Sequence, residues 1–219
     1  MNIAILGTGM VGSTLGTRLV QIGHHVFMGS RSAESEAGRI WLDSVGGKAR
    51  IGTFSDAASF GEIVLDCTNG ANSLSALRAA DAENLRGKIL IHISNPLDMS
   101  HGMPPTFTVC NDDSLGEQVQ REFPDTMVVK ALNTINCEVM VHPSMLPEDH
   151  QLIICGNDGD AKSRVTTLLG DWFGWESRNI IDLGDITASR GTEMYLALWT
   201  RLWGVLGTPH FNLKIVRKK

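Results

Sequence analysis

The sequence predicts an α/β fold: a doubly wound, mainly parallel sheet with a buried helix at the C-terminus. Three observations carry that prediction. Short apolar runs alternate with helical segments along the N-terminal half, a glycine-rich turn follows the first run, and the last long segment is apolar on most sides. Alternation of strand and helix implies right-handed βαβ crossovers, and these bring strands side by side in parallel.

The elements follow in order. Residues 2–6 are an apolar run that ends at a glycine. In residues 10–22, Val11, Leu15, Leu19 and Ile22 stand three or four apart, the spacing of one helical face, and Gly23 ends the helix. His25 to Met28 reads as a strand, 34–45 as a helix, Ala49 to Gly52 as a weak strand and 55–60 as a short helix. Ile63-Val64-Leu65 reads as a strong buried strand, Ser73 to Ala80 as a helix and Lys88 to Ile93 as a further strand. Asn95-Pro96 and Met103-Pro104-Pro105 mark a loop. Residues 114–122 read as helix, and Met127 to Val129 and Leu152 to Ile154 as strands. Asp158 to Phe173 reads as a helix, with the Asp158 carboxylate near the N-terminus where it is favoured. Residues 133–148 have no clear period and contain Pro143 and Pro147. No repeat or linker interrupts the chain, so residues 1–183 read as one domain with an extended sheet and 184–219 as a helical extension.

That extension has no proline from Thr187 to Leu206. Tyr195, Leu198, Trp199, Leu202, Trp203 and Leu206 follow helical spacing, and Met194, Ala197 and Val205 add apolar character elsewhere. A helix apolar on most sides is normally covered. Two covers are open, its own domain or a second subunit, and a homodimer is the favoured expectation. Trp199 and Trp203 read as core, and Trp172 and Trp175 as cover for the sheet edge. Arg190 and Glu193, three apart at the helix start, read as a surface ion pair worth about 0–1 kcal/mol.

Composition narrows the function. A chain of 219 residues, 42% hydrophobic and 20% charged, suits an α/β domain with a small extension. A formal net charge of -5 argues against nucleic acid or an anionic membrane as partner. Cys67, Cys110, Cys137 and Cys155 form no C-x-x-C pair, so they read as small buried residues in a reducing compartment, with no metal set. The first apolar run lacks the build of a signal peptide, and no run approaches the roughly 18 residues of a membrane span. The expectation is a soluble, cytoplasmic protein with a small-molecule partner.

Gly7-Thr8-Gly9-Met10-Val11-Gly12 has the form G-x-G-x-x-G, after a strand and at the opening of a helix. In a Rossmann-type dinucleotide site, Gly7 allows the tight turn, Gly9 lets the backbone approach a pyrophosphate, and Gly12 lets helix and strand pack closely. Free N–H groups and the helix dipole then face the phosphates. The second strand ends near the adenosine ribose, where NAD enzymes place a carboxylate. Here Gly29-Ser30-Arg31 stands instead. Ser30 can donate a hydrogen bond and Arg31 can meet a 2′-phosphate, so NADP(H) is expected. Three further strand ends are candidates for the nicotinamide end: Cys67-Thr68-Asn69-Gly70, Ser94-Asn95-Pro96 and Ala131-Leu132-Asn133-Thr134-Ile135.

The combination of GTGMVG, GSR, SNP, KALNTI and a tryptophan-rich C-terminal helix resembles the NADPH-dependent coenzyme F-420 reductases, also called F-420-dependent NADP oxidoreductases. The resemblance spans most of the chain. It implies a small dimeric Rossmann enzyme that moves a hydride between nicotinamide C4 and C5 of a deazaflavin stacked upon it. On matching positions it implies that Thr8, Gly9, Met10 and Val11 line the pyrophosphate and that Ser30 and Arg31 take the 2′-phosphate. It implies that Asn95, Pro96, Asn133, Thr134 and Ile135 border the space between the rings, and that Gly207, Thr208, Pro209 and His210 reach the deazaflavin side. The chain departs from the family at Ser32 to Glu36, where a further lysine or arginine is often found. A related domain in membrane metalloreductases passes electrons from NADPH to flavin, so flavin is a second candidate acceptor.

Transfer between stacked rings needs little acid–base help. Proximity and orientation supply about 7–11 kcal/mol at the favourable limit, and the reactive chemistry belongs to the cofactors. Were an acid needed, His92, His101, His142 and His210 are the candidates, and His210 stands first because it lies in the segment that the resemblance picks out. Two other classes stand beside this one: a non-catalytic NADP(H)-binding redox sensor acting on a protein partner, and a reductase of small carbonyls or imines, which needs a proton donor that the sequence does not single out.

Overall fold

The computed structural model describes residues 1–218; Lys219, the last residue of the expected extension, lies outside the described residues. The first apolar run forms β1 (Asn2–Leu6), fully buried from Ile3 onward. A strand with no polar face must be covered on both sides, so β1 lies inside the sheet. The chain winds outward through α1 (Met10–Gln21), β2 (His25–Ser30), α2 (Glu36–Val45) and β3 (Ala49–Thr53). It returns by α3 (Phe54–Phe60) and winds the other way through β4 (Ile63–Asp66), α4 (Gly70–Ala80), α5 (Ala82–Leu85) and β5 (Ile89–His92). A small antiparallel hairpin, β6 (Leu97–Asp98) and β7 (Thr106–Phe107), precedes α6 (Leu115–Glu122) and β8 (Met127–Ala131). The remainder is α7 (Cys137–Val141), β9 (Leu152–Cys155), α8 (Gly159–Phe173), β10 (Ile180–Asp182) and α9 (Ser189–Leu206).

The sheet order is β10-β9-β8-β5-β4-β1-β2-β3. Strands β1 to β5 and β8 are parallel, so the expected doubly wound sheet is present. The winding reverses between β1 and β4, and a crevice opens there at the carboxyl ends of the strands. Helices α1, α2, α7 and α8 cover one face, with Leu15, Leu19, Trp41 and Trp172 in its core. Helices α3 to α6 cover the other, around Leu77, Leu85, Leu90 and Val119. Side-chain caps start several helices: Asp158 accepts from Ala161 N at 2.7 Å, and Thr53 and Asp56 form a reciprocal capping box.

Several expectations are corrected. β9 continues the sheet but runs antiparallel to β8, and β10, only three residues long at the edge, escaped the sequence reading. The stretch without a period holds α7, whose Val139, Met140 and Val141 are buried against α1. Trp172 and Trp175 are core residues, not a cover for the sheet edge; the Trp175 indole donates to the Met140 carbonyl at 2.9 Å. Cys110 is exposed, unlike the other three thiols. α9 buries one face, with Ser189, Thr192, Glu193, Leu196, Trp199 and Thr200, while Met194, Leu198, Trp203, Val205 and Leu206 stay exposed. Among the described residues, no helix is long and apolar enough to cross a membrane.

Arg190 and Glu193 do not pair with each other. Arg190 reaches α6 and makes two bonds to the Glu117 carboxylate, at 2.9 and 2.6 Å. Those bonds hold the Glu117 carboxyl below its ordinary range, against the opposing effect of burial. A depressed folded-state pKa contributes stability that is complete above the unfolded value, about 4.3 for glutamate, and is lost as pH falls through the folded value. Arg190→Ala is therefore expected to lower the thermal midpoint at neutral pH, with the gap from wild type closing as pH drops below about 4. A gap that stays constant into strong acid contradicts the clamp.

Candidate dinucleotide site

The site begins where β1 ends. Gly7 turns the chain at φ +114°, a conformation that favours glycine, and its N–H donates to the Gly29 carbonyl at 2.9 Å. A Cβ on Gly12 would sit on the Gly7 carbonyl oxygen, so α1 lies against the turn only because Gly12 has none. Gly9 starts α1 without a side-chain cap, and Ser13 N makes the first intrahelical bond, to the Gly9 carbonyl. By helix geometry the N–H groups of Met10, Val11 and Gly12 have no partner in the helix, and the positive end of the dipole faces outward beside them.

Two clefts lie beside this turn and meet at Cys67, Thr68 and Asn69 after β4. The larger, about 760 Å³, lies between Gly7, Thr8 and Gly9 and the end of β2 at Ser30 and Arg31. Its other walls are Thr53, Phe54 and Ser55 at the start of α3, Cys67 to Asn69 after β4, and the α4 face carrying Asn72, Ser75, Ala76 and Ala79. The smaller, about 200 Å³, shares Cys67, Thr68 and Asn69 and continues along Val11, Gly70, Ile93, Ser94, Asn95, Leu97 and Met99. Among the described residues, Arg31 is the one charged side chain lining either cleft. Glu34, the nearest acid along the chain, is engaged by Arg39 at 3.2 Å. Ser30 Oγ donates to the Ser32 carbonyl at 2.5 Å, which shapes the turn around Arg31.

The walls of the smaller cleft are tied together from behind. Asn95 Nδ2 donates to the Asn133 carbonyl at 2.7 Å, and Asn133 Nδ2 returns a bond to Asn95 Oδ1 at 2.9 Å. Leu132, buried and at φ +64°, holds Asn133 in place by a left-handed backbone that a leucine seldom adopts. Asn69 Oδ1 caps α4 by accepting from Ala71 N at 3.0 Å. Thr68 donates to Asp66 Oδ1 through both its N–H, at 3.0 Å, and its hydroxyl, at 2.6 Å.

Beneath the floor runs a row of buried polar groups. Ser73 Oγ donates to Asp66 Oδ2 at 2.5 Å and lies 3.3 Å from His92 Nε2. His92 Nδ1 is 3.2 Å from Lys130 Nζ, which donates to the Ser94 carbonyl at 2.5 Å and to Glu193 Oε1 at 2.6 Å. Burial pushes the Asp66 carboxyl up, against its hydrogen bonds, and burial with the Lys130 charge holds the His92 imidazole well below its ordinary value. Burial, with the Asp66 charge, also pushes the Cys67 thiol up. In the sequence Lys130 stands in KALNTI without a role, Glu193 reads as a surface partner of Arg190 rather than a buried one, and nothing there picks out Asp66 or Ser73. The signal was a charge at the end of an apolar strand, Ile63-Val64-Leu65-Asp66 and Met127-Val128-Val129-Lys130, since a buried charge needs a partner.

The sequence candidates divide accordingly. Gly7, Thr8, Gly9, Val11, Ser30, Arg31, Thr68, Asn69 and Asn95 line the two clefts. Gly12, Pro96, Asn133, Thr134 and Ile135 line neither; Asn133 backs Asn95, and Ile135 belongs to the core. Met10 is exposed toward a groove of about 710 Å³ between α1, α2 and α7, which shares Thr8 and Gly9 with the larger cleft. Gly207, Thr208, Pro209 and His210 line neither cleft, and His210 Nε2 lies 2.9 Å from Glu138 Oε2, a residue of the adjoining groove. Thr53, Phe54, Ser55 and the α4 face were not foreseen, because tertiary packing brings them to the cleft.

A doubly wound sheet with this glycine turn at its switch point defines a Rossmann-type dinucleotide-binding protein. Residues 2–96 match the family described as "NADP oxidoreductase coenzyme F420-dependent". Over 207 residues the chain is 31% identical to the F420-dependent NADP reductase of Methanocaldococcus jannaschii, covering 88% of each chain. A crystal structure from Arthrobacter sp. FB24, of a protein proposed to be an F420-dependent NADP-reductase, superposes with a TM-score of 0.92 at 49% identity, over 99% of this chain and 100% of that one. The rat metalloreductase STEAP3 is 29% identical over 193 residues, which span 87% of this chain and 35% of that protein. The chain belongs to the coenzyme F420-dependent NADP oxidoreductase family and is an NADP-dependent oxidoreductase.

Gly70 tests the geometry of the smaller cleft. A Cβ there would collide with the Asn95 backbone carbonyl, which accepts from Leu97 N at 2.8 Å. Gly70→Ala is expected to cost about 1–3 kcal/mol in urea unfolding and to speed amide exchange at Leu97. Unchanged stability together with unchanged exchange contradicts the close approach.

Proposed function

We propose that the chain transfers a hydride between NADP(H) and a stacked deazaflavin, coenzyme F-420. The observation that carries this reading is the pair of joined clefts along the strand ends, where among the described residues Arg31 is the one charged side chain in the lining. In this reading the free N–H groups at the start of α1 and the open space over Gly9 receive the pyrophosphate. Ser30 and Arg31 hold the 2′-phosphate, and Thr53 and Phe54 border the adenine. Thr68, Asn69 and Asn95 meet the nicotinamide, with Asn133 and Pro96 supporting Asn95 and with Thr134 and Ile135 fixing the loop behind it.

When bound, NADPH supplies the hydride. The residues of this chain bind, orient and exclude water. Val11, Ile93, Leu97 and Met99 give the smaller cleft apolar walls against which a flat ring can lie, while the amides of Asn69 and Asn95 fix its rotation. Among the described residues, neither cleft is lined by a histidine, lysine, tyrosine or carboxylate. That suits transfer between stacked rings, where alignment does the work, and disfavours carbonyl or imine reduction, which needs a positioned proton donor. The name of the Methanocaldococcus jannaschii relative supports the deazaflavin as acceptor. A homodimer goes with this reading, a second copy covering the exposed Met194, Leu198, Val205 and Leu206 of α9.

Two measurements test the proposal. In stopped flow, NADPH is expected to be oxidised with deazaflavin present; FMN, FAD and riboflavin, offered in turn, test whether a flavin substitutes. Binding of NADPH without oxidation by any of the four overturns the proposal and favours a redox sensor. Arg31→Ala is expected to weaken NADPH binding about tenfold at low salt and leave NADH binding unchanged. Equal NADPH affinity in wild type and variant contradicts the 2′-phosphate contact.

A further inference from the structure

We infer that Lys130, gripped by Glu193 of the C-terminal helix, is a positioning residue that fixes the Ser94–Asn95 backbone at the nicotinamide end of the cleft. The inference rests on the reading of the smaller cleft as the nicotinamide pocket. Lys130 is 1% exposed and lies on β8, beside the end of β5. Its ammonium has three donors, and all three are placed: on the Ser94 carbonyl, on Glu193 Oε1 and toward His92 Nδ1.

The target of the first bond matters most. β5 ends at His92, and Ser94 has already left the strand. The Lys130 ammonium therefore supplies the donor that a neighbouring strand gives inside the sheet. Ser94 is also held from the other side, where its hydroxyl donates to the Thr68 carbonyl at 2.7 Å. Asn95, the next residue, lines the cleft. A shift in the Ser94 carbonyl is thus a shift of the cleft wall.

Glu193 fixes the ammonium in turn. Its side chain is 2% exposed, and besides Lys130 it accepts from Gly116 N at 3.0 Å and Leu115 N at 2.8 Å. The start of α6 and the face of α9 therefore converge on one lysine. On the far side the ammonium faces Nδ1 of a neutral His92, which places the ring hydrogen on Nε2, toward Ser73 and Asp66. A buried ion pair is a weak device for stability alone, since a well-packed apolar pair of similar volume often serves as well. A directed anchor for an irregular carbonyl is something an apolar pair cannot supply.

The test uses Lys130→Met and the double variant Lys130→Met/Glu193→Gln, the second leaving neither of the two charges without its partner. Circular dichroism and thermal unfolding report folding. The expected result for the folded double variant is an NADPH dissociation constant within about threefold of wild type, because the phosphate contacts are remote. Single-turnover hydride transfer to deazaflavin is expected to fall about ten- to a hundredfold, and the fluorescence lifetime of bound NADPH, which reports the surroundings of the nicotinamide ring, is expected to change. A folded double variant with wild-type transfer rate and wild-type lifetime overturns the inference. So does a loss of NADPH affinity that simply follows a loss of thermal stability. If wild type itself transfers no hydride, the proposed function fails, and the lifetime alone decides the positioning role.

Discussion

Helix α1 approaches the Gly7 carbonyl more closely than any side chain at Gly12 would permit, and the rest of the site is arranged around that contact. It places the first, unpaired N–H groups of α1 directly over the end of the central strand. The winding of the sheet reverses at the same place, so no crossover helix closes the space above it. The ends of β2 and β4 then form the two walls, with Arg31 on one and Thr68 on the other. Turn and crevice follow from one strand being buried on both faces and from Gly12 lying against Gly7, and the residues after β2 add the cation.

Charge is distributed unevenly around this crevice. Among the described residues the cleft walls carry one charged side chain, Arg31, while beneath the floor Asp66, His92, Lys130 and Glu193 lie in a continuous buried row. Desolvating such groups costs several kcal/mol each, and removal of one partner alone typically costs about 3–5 kcal/mol. The row therefore locks β4, β5, β8 and α9 into one arrangement. It also relates the two parts of the chain: the C-terminal helix is bound to the Rossmann core through polar contacts at its start, while much of its apolar surface remains open.

What was legible in the sequence follows from the kind of signal each element gives. Strands β1, β4 and β5 are buried on both faces and stand out as apolar runs. The glycine turn and Ser30-Arg31 are local, so motif and position located them. β10 and α7 are three and five residues long and owe their form to their neighbours, so periodicity carried no trace of them. Arg190 and Glu193 looked like a local pair because their separation is local, but each found a partner more than sixty residues away. Thr53 to Ser55 and the α4 face reach the cleft only through the crossovers. Only its segment singles out His210 in the sequence, and it lies against Glu138 and lines neither cleft.

In the proposed complex the 2′-phosphate of the dinucleotide meets Arg31 while its pyrophosphate meets the start of α1. Calorimetric titration of the wild-type protein with NADP⁺ and with NAD⁺, each at low and high salt, tests this most directly. NADP⁺ is expected to bind at least about tenfold more tightly at low salt, with the preference narrowing as salt screens the exposed arginine. Equal affinity for the two nucleotides, or a preference that salt does not change, would contradict it.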